Sequence, residues 1–473
     1  MNKLKIYEEL RKRGITLDKD GNVKRFNPNY FPSYIKENYL IIYANDKTYY
    51  VYDNGVWEMQ EIAKLLRDLR NEFQAPMFGV WSPSMEKDYM VGMERELYYD
   101  GELNLYKNLI NLINGMFNTD NFTLIEHDPK YYSTVRIPIE YTPNAECPMW
   151  KQFLLQIFEG DEERIKVAQE WAGYMLTPIT KAQKALLLVG EGENGKGVFV
   201  DTMRLVVGEE NISNITLNEL NNEFSRIRLH NKTANISGEN EMNGKSFNTQ
   251  YFKAIVGEDT ISAAEKHMPS ISFKPICKMI LTMNNLPDTK DTSHGYFRRL
   301  SLLPFNANFS ESNRDNDLRE KLKAELPGIF LWSMEGLKRL KANDFKFSPC
   351  KSMDDMLKTY QTEQKPMYEF FEDCIAPTED ARYREDNKLV YNTFKNWVAD
   401  NGIGYPYSKL SNPKFWREFE AVAKKKGYKC TAGRSDKFRY HTGIKVVGEY
   451  KADLGFRPNN QFTITVNDEV SNL

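Results

Sequence analysis

A glycine-rich segment follows the apolar run at residues 184–189 and reads Gly-Glu-Gly-Glu-Asn-Gly-Lys-Gly. Glycines in this pattern let the backbone curl around a phosphate and point N–H groups at it, and Lys196 then reaches the outer phosphates. Further on, Phe199, Met203 and Val206 share one helical face, so a helix N-terminus also points at the anion. The pattern predicts a phosphate-binding loop. Its binding residues are Gly190, Gly192, Asn194, Gly195, Lys196, Gly197 and Val198.

One position departs from this pattern. The residue after the lysine is Gly197, where Ser or Thr normally supplies a hydroxyl to Mg²⁺. A glycine-rich turn that binds nothing is therefore the alternative, although strand, loop, lysine and helix occur in the expected order.

Hydrolysis of a nucleoside triphosphate also needs a carboxylate that holds Mg²⁺ and polarises the attacking water. Residues 232–241 predict a second core strand that ends in acidic residues. Glu239 is the first candidate for this carboxylate and for the metal ligand, and Glu241 is the second. The strand is poorly apolar, and a surface Glu-x-Glu is the alternative.

Two later segments offer polar groups at strand ends. Residues 278–284 predict a strand ending at Asn284, whose amide can hydrogen-bond the third phosphate or its water; a turn before Pro287 is the alternative. Arg298 and Arg299 precede another apolar strand and could stabilise transition-state charge at a neighbouring subunit. A surface basic pair is the alternative there.

Residues 261–273 predict a β-hairpin that carries Lys266 and His267 at its tip. Cations at a hairpin tip can bind phosphates without reading sequence. A solvated turn is the alternative.

All these segments lie within the 110 residues 190–299. Their order resembles that of the superfamily 3 AAA+ helicases. The branch is that of phage, plasmid and poxvirus primase–helicases, including replication initiators of the Rep type from staphylococcal pathogenicity islands. The segments Glu-Trp-Ala-Gly-Tyr-Met-Leu (170–176) and Leu-Pro-Gly-Ile-Phe-Leu-Trp (326–332) also match. The likeness covers about residues 130–345.

The resemblance implies ATP and Mg²⁺ as cofactors, a ring-shaped homo-oligomer, expected to be a hexamer, and 3′→5′ movement on DNA. The branch that the chain resembles tolerates glycine at the position of Gly197. Which group then completes the coordination shell of Mg²⁺ stays open, and water is the simplest answer. The implied roles are phosphate lysine for Lys196, acidic-strand carboxylate for Glu239, sensor asparagine for Asn284, arginine finger for Arg299 with Arg298 as the fallback, and DNA-gripping pair for Lys266 and His267.

Composition and length limit the other possibilities. The chain has 473 residues, which suggests about three domains. No apolar run approaches the ~20 residues that span a bilayer, and the charged N-terminus resembles no signal peptide. The five cysteines form no C-x-x-C pair, which fits a reducing cytoplasm and predicts neither a zinc site nor a disulfide framework.

The expected domains are an N-terminal accessory domain (1–130), a helical collar (131–180), the ATPase core with a helical lid (181–345), a linker (346–364) and a C-terminal domain (365–473). Within 1–130 we expect a β-meander at 39–58, turning at Asp53-Asn-Gly, and helices at about 60–74 and 104–117. No convincing pair of metal-binding carboxylates lies on a strand there, so we expect no primase activity.

The C-terminal region predicts helices at about 366–374, 388–400 and 411–426, followed by a basic hairpin, an order that suggests a winged helix. Residues 408–445 hold eleven Lys/Arg and three Asp/Glu, a local net charge of +8 in a chain of net charge −2. Such a patch indicates phosphate-backbone binding; a solvated basic face is the alternative. The candidate DNA contacts are Lys409, Lys414, Arg417, Arg434, Lys437 and Arg439.

The sequence thus predicts an α/β P-loop AAA+ core with an α+β N-terminal domain and a C-terminal winged-helix domain. The expected function is an ATP-dependent replicative helicase of a mobile genetic element, acting on single-stranded DNA and on the origin duplex, with no membrane partner. Two other functions stay open. One is an origin-binding regulator with a degenerate nucleotide site, and the other is a primase–helicase.

Overall fold

The computed structural model describes residues 3–238, 240, 247–266, 270–287, 289, 291, 293–309, 315, 317–364, 366–380 and 382–453. The chain divides into two compact units, Met1–Leu357 and Lys358–Leu473. No helix in these ranges combines the length and the apolar character needed to cross a membrane.

The N-terminal part of the first unit is a mixed α+β region with its own buried core. Its four-stranded sheet has the order β5-β4-β3-β6. The elements are α1 (Lys3–Lys12), β1 (Ile15–Leu17), β2 (Val23–Phe26), α2 (Tyr30–Asn38), β3 (Ile41–Ala44), β4 (Tyr49–Asp53), β5 (Val56–Met59), α3 (Ile62–Gln74), α4 (Pro83–Glu96), β6 (Tyr98–Tyr99), β7 (Leu109–Leu112), β8 (Gly115–Asn118) and β9 (Thr123–Ile125).

The β-meander and the helix near 60–74 are confirmed. Asn54 and Gly55 have φ values of 46° and 89°, as a type I′ turn between β4 and β5 requires. The helix predicted at 104–117 is wrong, because β7 and β8 form an antiparallel hairpin there. All four residues of β7 are buried, so its apolar run reflects burial on both faces and carries no helical period.

The segment 147–176 contains the expected helical pair, α5 (Pro148–Ile157) and α6 (Glu162–Tyr174). Helix α6 packs closely on a later helix, α12 (Leu326–Ala342), at two glycines. A Cβ at Gly173 would lie 2.2 Å from the Ser333 carbonyl oxygen, and one at Gly336 would lie 2.2 Å from that of Gln169. Glycine therefore permits the contact between these backbones.

A five-stranded parallel sheet forms the core, in the order β11-β12-β15-β10-β16. Strand β10 lies inside the sheet, and all its residues are buried. The elements from here to the end of the first unit are β10 (Ala185–Val189), α7 (Lys196–Val207), β11 (Ile212–Ser213), α8 (Glu223–Arg226), β12 (Ala234–Ser237), α9 (Thr249–Val256), β13 (Ile261–Ala263), β14 (Ile271–Phe273), β15 (Lys278–Met283), α10 (His294–Phe297), β16 (Leu300–Pro304), α11 (Leu318–Ala324), α12, and α13 (Lys351–Glu363), which continues into the second unit.

Two sequence predictions can be compared directly with these elements. The predicted hairpin is present, since β13 pairs antiparallel with β14 from Ile261↔Phe273 to Ala263↔Ile271. Residues 346–364, expected as a linker, contain helix α13 instead of an extended connection.

The second unit has its own core of aromatic and aliphatic side chains. The three helices expected from the sequence are present, and β19 and β20 form an antiparallel hairpin after the last of them. The elements are α14 (Pro366–Cys374), β17 (Ile375–Pro377), β18 (Glu385–Asp386), α15 (Asn387–Asp400), α16 (Asn412–Lys425), β19 (Thr431–Arg434), β20 (Arg439–Thr442) and β21 (Ile444–Val446).

Candidate functional site

The glycine-rich loop leaves the carboxyl end of β10 and enters α7, as the sequence predicts. A Cβ at Gly190 would lie 2.4 Å from the Phe305 carbonyl oxygen, and Gly195 has a φ of 80° with Ile157 close by. Both positions therefore need glycine. Buried Asn194 donates to the Phe305 carbonyl oxygen (3.2 Å) and accepts from the Lys196 backbone N–H (3.2 Å).

Lys196 and Asn284 meet at the end of the sheet where the parallel strands have their carboxyl termini, here called the carboxyl edge. The Lys196 ammonium is 2.5 Å from the Gly190 carbonyl oxygen, 3.1 Å from that of Met283 and 3.4 Å from Oδ1 of Asn284. Burial lowers the pKa of Lys196. A half-buried cation whose partners are uncharged oxygens can exchange them for the stronger charge-assisted bonds of an anion.

The rest of the loop leaves room for a ligand. A Cβ at Gly192 or Gly197 would meet nothing within 4 Å. Helix α7 begins at Lys196, so its free backbone N–H groups face the same space. Glycine backbone, lysine and helix N-terminus together fit a phosphate group. Ligands in parallel α/β sheets bind at this carboxyl edge.

The predicted acidic residues Glu239 and Glu241 lie outside the described residues. Asn240 between them is described and is 3% exposed. Its backbone N–H donates to the Thr282 carbonyl oxygen of β15 (3.1 Å), and its Oδ1 accepts from the Leu217 N–H (3.0 Å). The chain therefore leaves β12 at the carboxyl edge of the sheet, where Asn240 is bonded to β15.

The polar character of β12 has a structural cause. Asn235 is fully buried, accepts from the Ser213 hydroxyl (2.7 Å) and the Ile215 N–H (2.8 Å), and donates to the Ile215 carbonyl oxygen (2.9 Å). A buried amide whose hydrogen bonds are satisfied is tolerated in a core strand. The presence of Asn235 in the core explains the low hydropathy of β12.

Arg298 and Arg299 differ sharply in their surroundings. Exposed Arg298 donates from both Nη atoms to Oε1 of Gln183 (3.1 and 3.2 Å). Arg299 is half-buried, and its Nη1 donates to the Gly295 carbonyl oxygen (2.5 Å), while its buried Nε has no hydrogen-bond partner among the described residues. Burial, and then repulsion from Arg298, lower the pKa of Arg299.

The arginines and Lys196 lie at opposite ends of the parallel strands. The arginines are at the end with the amino termini, here called the amino edge, and Lys196 is at the carboxyl edge. In the parallel pair β10–β16, Ala185 is beside Leu300 and Val189 is beside Pro304. Arg299 thus precedes the amino end of β16, while Lys196 follows the carboxyl end of β10. The five residues of β10 span about 13 Å from the first to the last, before the glycine-rich loop begins.

Two residues at the amino edge were not predicted. Lys184 donates to the carbonyl oxygens of Arg298 (3.0 Å) and Leu300 (3.1 Å), and Gln183 holds Arg298. They fix the turn that contains both arginines. A lysine at the start of an otherwise apolar strand was the one local signal for this.

Lys266 of the predicted DNA-gripping pair is exposed, in the turn after β13. His267 lies outside the described residues. The hairpin below them rests on α8, where the Ala264 N–H donates to the Glu223 carbonyl oxygen (3.4 Å).

In the second unit the predicted DNA contacts lie on a helix, the turn before it and a hairpin. All six are exposed, and none forms an ion pair within the described part of the chain. Trp416 of α16 stacks on His441 of β20 with 4.3 Å between ring centroids, which ties helix to hairpin. Lys414 and Arg417 are on α16, Lys409 precedes it, Arg434 ends β19, Lys437 lies in the turn, and Arg439 begins β20.

Two family models match parts of the chain. Residues 29–159 match the family described as D5 N terminal like, and residues 188–299 match a family of unknown function, DUF5906. The second match runs from β10 to Arg299 and so spans the glycine-rich loop, the hairpin and both arginines.

The curated relatives are viral and phage proteins. The chain is 28% identical over 154 residues to a putative helicase of Acanthamoeba polyphaga mimivirus and 20% identical over 422 residues to another of Invertebrate iridescent virus 6. It is 24% identical over 147 residues to the DNA primase-polymerase of Nitratiruptor phage NrS-1. These alignments cover 31%, 76% and 30% of the chain, but 16%, 41% and 20% of the relatives, less than half of each.

Solved structures of the NrS-1 C-terminal region have a similar fold. Two apo structures match with TM-scores of 0.51 and 0.52 at 13% and 14% identity, covering 88% of this chain and 99–100% of theirs. At such low sequence identity, these matches show a similarity of fold alone. Taken with the curated relatives, the chain is similar to viral and phage replication proteins of the helicase and primase type.

Proposed function

We propose that this chain is an ATP-dependent replicative DNA helicase, the initiator of a mobile genetic element, of the superfamily 3 AAA+ type. One observation carries the proposal most: the loop behind β10 brings Lys196 and Asn284 together beside a helix N-terminus. This arrangement supports ATP as the ligand and makes the loop a P-loop. The similarity to viral helicases supports the same activity.

The catalytic roles follow from chemistry. Lys196 binds the outer phosphates and Asn284 orients the third phosphate or the attacking water. Mg²⁺, when bound, would supply charge neutralisation at the outer phosphates. Glu239 would hold it and polarise the attacking water, with Glu241 the second candidate. A water would replace the hydroxyl that Gly197 lacks.

Arg299 is the proposed arginine finger, and it serves a neighbouring copy. Its position on the sheet edge opposite Lys196 supports this, because one chain cannot bring the two cations to one phosphate. Gln183 already binds Arg298, which favours Arg299 of the pair. A site completed by a second copy supports a ring, for which we propose a hexamer.

DNA contacts are proposed in two places. The hairpin with Lys266 and His267 binds a single strand inside the ring and moves with hydrolysis. The second unit, as a winged helix, binds origin duplex through the six exposed cations on α16 and the β19–β20 hairpin. The parent should lose duplex affinity with salt more steeply than a variant with Lys414, Arg417 and Arg439 changed to glutamine.

The central test is strand separation on a forked duplex. The parent should unwind it with ATP, whereas Lys196→Ala should not. Lys181→Ala is a matched control, since Lys181 is an exposed lysine paired with Asp344 near the same strand. Equal unwinding by the parent and Lys196→Ala would contradict the mechanism.

The second candidate is an origin-binding regulator with a degenerate nucleotide site. Gly197 is the observation that favours it. The low hydropathy of β12 does not, because buried Asn235 is hydrogen-bonded through both its Oδ1 and its Nδ2. ATP turnover stimulated by single-stranded DNA would exclude this function. Templated primers made by the chain would instead support a primase–helicase.

A further inference from the structure

Arg226, at the end of α8, is a buried cation that the proposed mechanism does not use. It is 3% exposed, and no described carboxylate forms an ion pair with it. Its Nε donates to the Ser262 carbonyl oxygen (3.1 Å) and its Nη1 to that of Leu220 (3.0 Å). The guanidinium lies 3.7 Å from the centre of the Tyr251 ring on α9.

These contacts connect the hairpin to α8, to the turn at residues 219–221 and to α9. Ser262 belongs to β13, the strand that leads to Lys266. Leu220 belongs to the turn at residues 219–221, and Tyr251 belongs to α9. Burying a cation without an anion is costly, and a planar guanidinium donates in fixed directions. Arg226 therefore contributes a defined hairpin position more than it contributes stability.

The turn at 219–221 continues toward the nucleotide edge of the sheet. Glu219 accepts from both the N–H (2.9 Å) and the hydroxyl (3.0 Å) of Thr216, which holds the segment together. The next residue, Leu217, donates its N–H to Asn240 (3.0 Å), which lies between Glu239 and Glu241. Hydrogen bonds and the short backbone segment 217–220 thus connect Asn240 to Ser262 through Arg226.

We propose that Arg226 is a positioning residue that makes the hairpin follow Asn240 at the carboxyl edge of the sheet. The proposal rests on the proposed motor function, in which hydrolysis at the carboxyl edge moves Lys266. When Asn240 shifts, its bond to the Leu217 N–H displaces the 216–220 segment, and Arg226 transfers that displacement to β13. The guanidinium bonds both to the segment, at Leu220, and to the strand, at Ser262.

The test uses Arg226→Met and the conservative Arg226→Lys in the full chain. Arg13→Met is a control for loss of a buried arginine elsewhere, because Arg13 is also 3% exposed, donates to backbone carbonyls and stacks on a tyrosine at 4.1 Å. Unlike Arg226, it also pairs with Glu9 and Glu72. Amide hydrogen exchange of residues 261–273 reports the hairpin position without requiring catalysis. ATP turnover with and without single-stranded oligo-dT reports the coupling.

We expect hairpin amides in Arg226→Met to exchange about tenfold faster than in the parent, while Arg13→Met leaves them unchanged. The ratio of turnover with DNA to turnover without it should fall toward one in Arg226→Met, and Arg226→Lys should lie between. Hairpin exchange equal to the parent, or a retained stimulation ratio, would overturn the inference. A parent that never hydrolyses ATP would overturn the proposed function instead, and faster hairpin exchange would still support Arg226 as the positioning residue.

Discussion

The two edges of the core sheet each carry a lysine bonded to backbone carbonyls, yet the two differ in what they can do. At the carboxyl edge Lys196 is half-buried and opens onto a loop with free space. At the amino edge Lys278 is 2% exposed and donates to the carbonyl oxygens of Thr177 and Ile276, under the ring of Tyr174. Burial lowers its pKa to about 7.

The difference teaches that access, more than residue type or bonding, separates the lysine proposed to bind a phosphate from the enclosed one. Lys196 can exchange its carbonyls for a ligand, whereas Lys278 is enclosed by protein. Arg299 is intermediate, since it is at the amino edge but its buried Nε has no hydrogen-bond partner in the part of the chain that the structure describes. The predictions below test this contrast, starting with the largest effect.

Arg299→Ala should reduce ATP turnover by about 100-fold or more, because an arginine finger stabilises transition-state charge. Arg298→Ala, its neighbour and control, should reduce turnover by less than about threefold, as an exposed pairing contributes little. Equimolar mixing of Arg299→Ala with Lys196→Ala should restore part of the turnover, because each supplies what the other lacks. No recovery in mixed particles would refute donation between subunits.

Lys278→Met should change how stability depends on pH. The folded-state pKa of about 7 is below the ordinary 10.5, so between these values the unfolded chain binds a proton that the folded chain does not. The parent should therefore gain stability as pH rises, by at most about 1.4 kcal/mol per pH unit.

The measurement is urea unfolding of the first unit at pH 7.5, 8.5 and 9.5. The difference between the parent and Lys278→Met should move in the parent's favour by about 2 kcal/mol over this range. Parallel pH curves for the two proteins would show that Lys278 does not titrate there.

Asn284→Ala should reduce turnover by about tenfold while leaving ATP binding largely intact, because the amide acts on the third phosphate or its water. Asn285→Ala is a closely matched control, as it is also exposed and is the next residue. Equal losses in both variants would mean that the strand end, and not the Asn284 side chain, is what matters.

Gly197→Ser should have the smallest effect. A Cβ there meets nothing within 4 Å, so the fold should tolerate it, and the hydroxyl should lower the Mg²⁺ concentration for half-maximal turnover by about threefold. Gly404→Ser, at another open glycine, should not. An unchanged Mg²⁺ requirement would mean that Gly197 is not beside the metal.

Local patterns were predicted well where short-range chemistry dictates structure. The strand, loop and helix at 184–207 follow from an apolar run, close-packed glycines and a helical face, and the structure has all three. The 104–117 helix failed because burial of every residue in β7 depends on distant partners. Asn111, for example, donates to the Gly55 carbonyl oxygen (2.8 Å) and contacts His127.

By itself the sequence determined which residues could do chemistry, because glycine spacing, strand ends and charge are written in neighbouring positions. It placed Lys196 in the glycine-rich loop and, by resemblance, ranked Arg299 ahead of Arg298, but it could not give the burial or the partners of these cations or of Lys278. Tertiary structure decided those. Gln183 lies 115 residues from Arg298 and Thr177 lies 101 from Lys278, and only the folded sheet brings such partners close enough to bind or bury a cation.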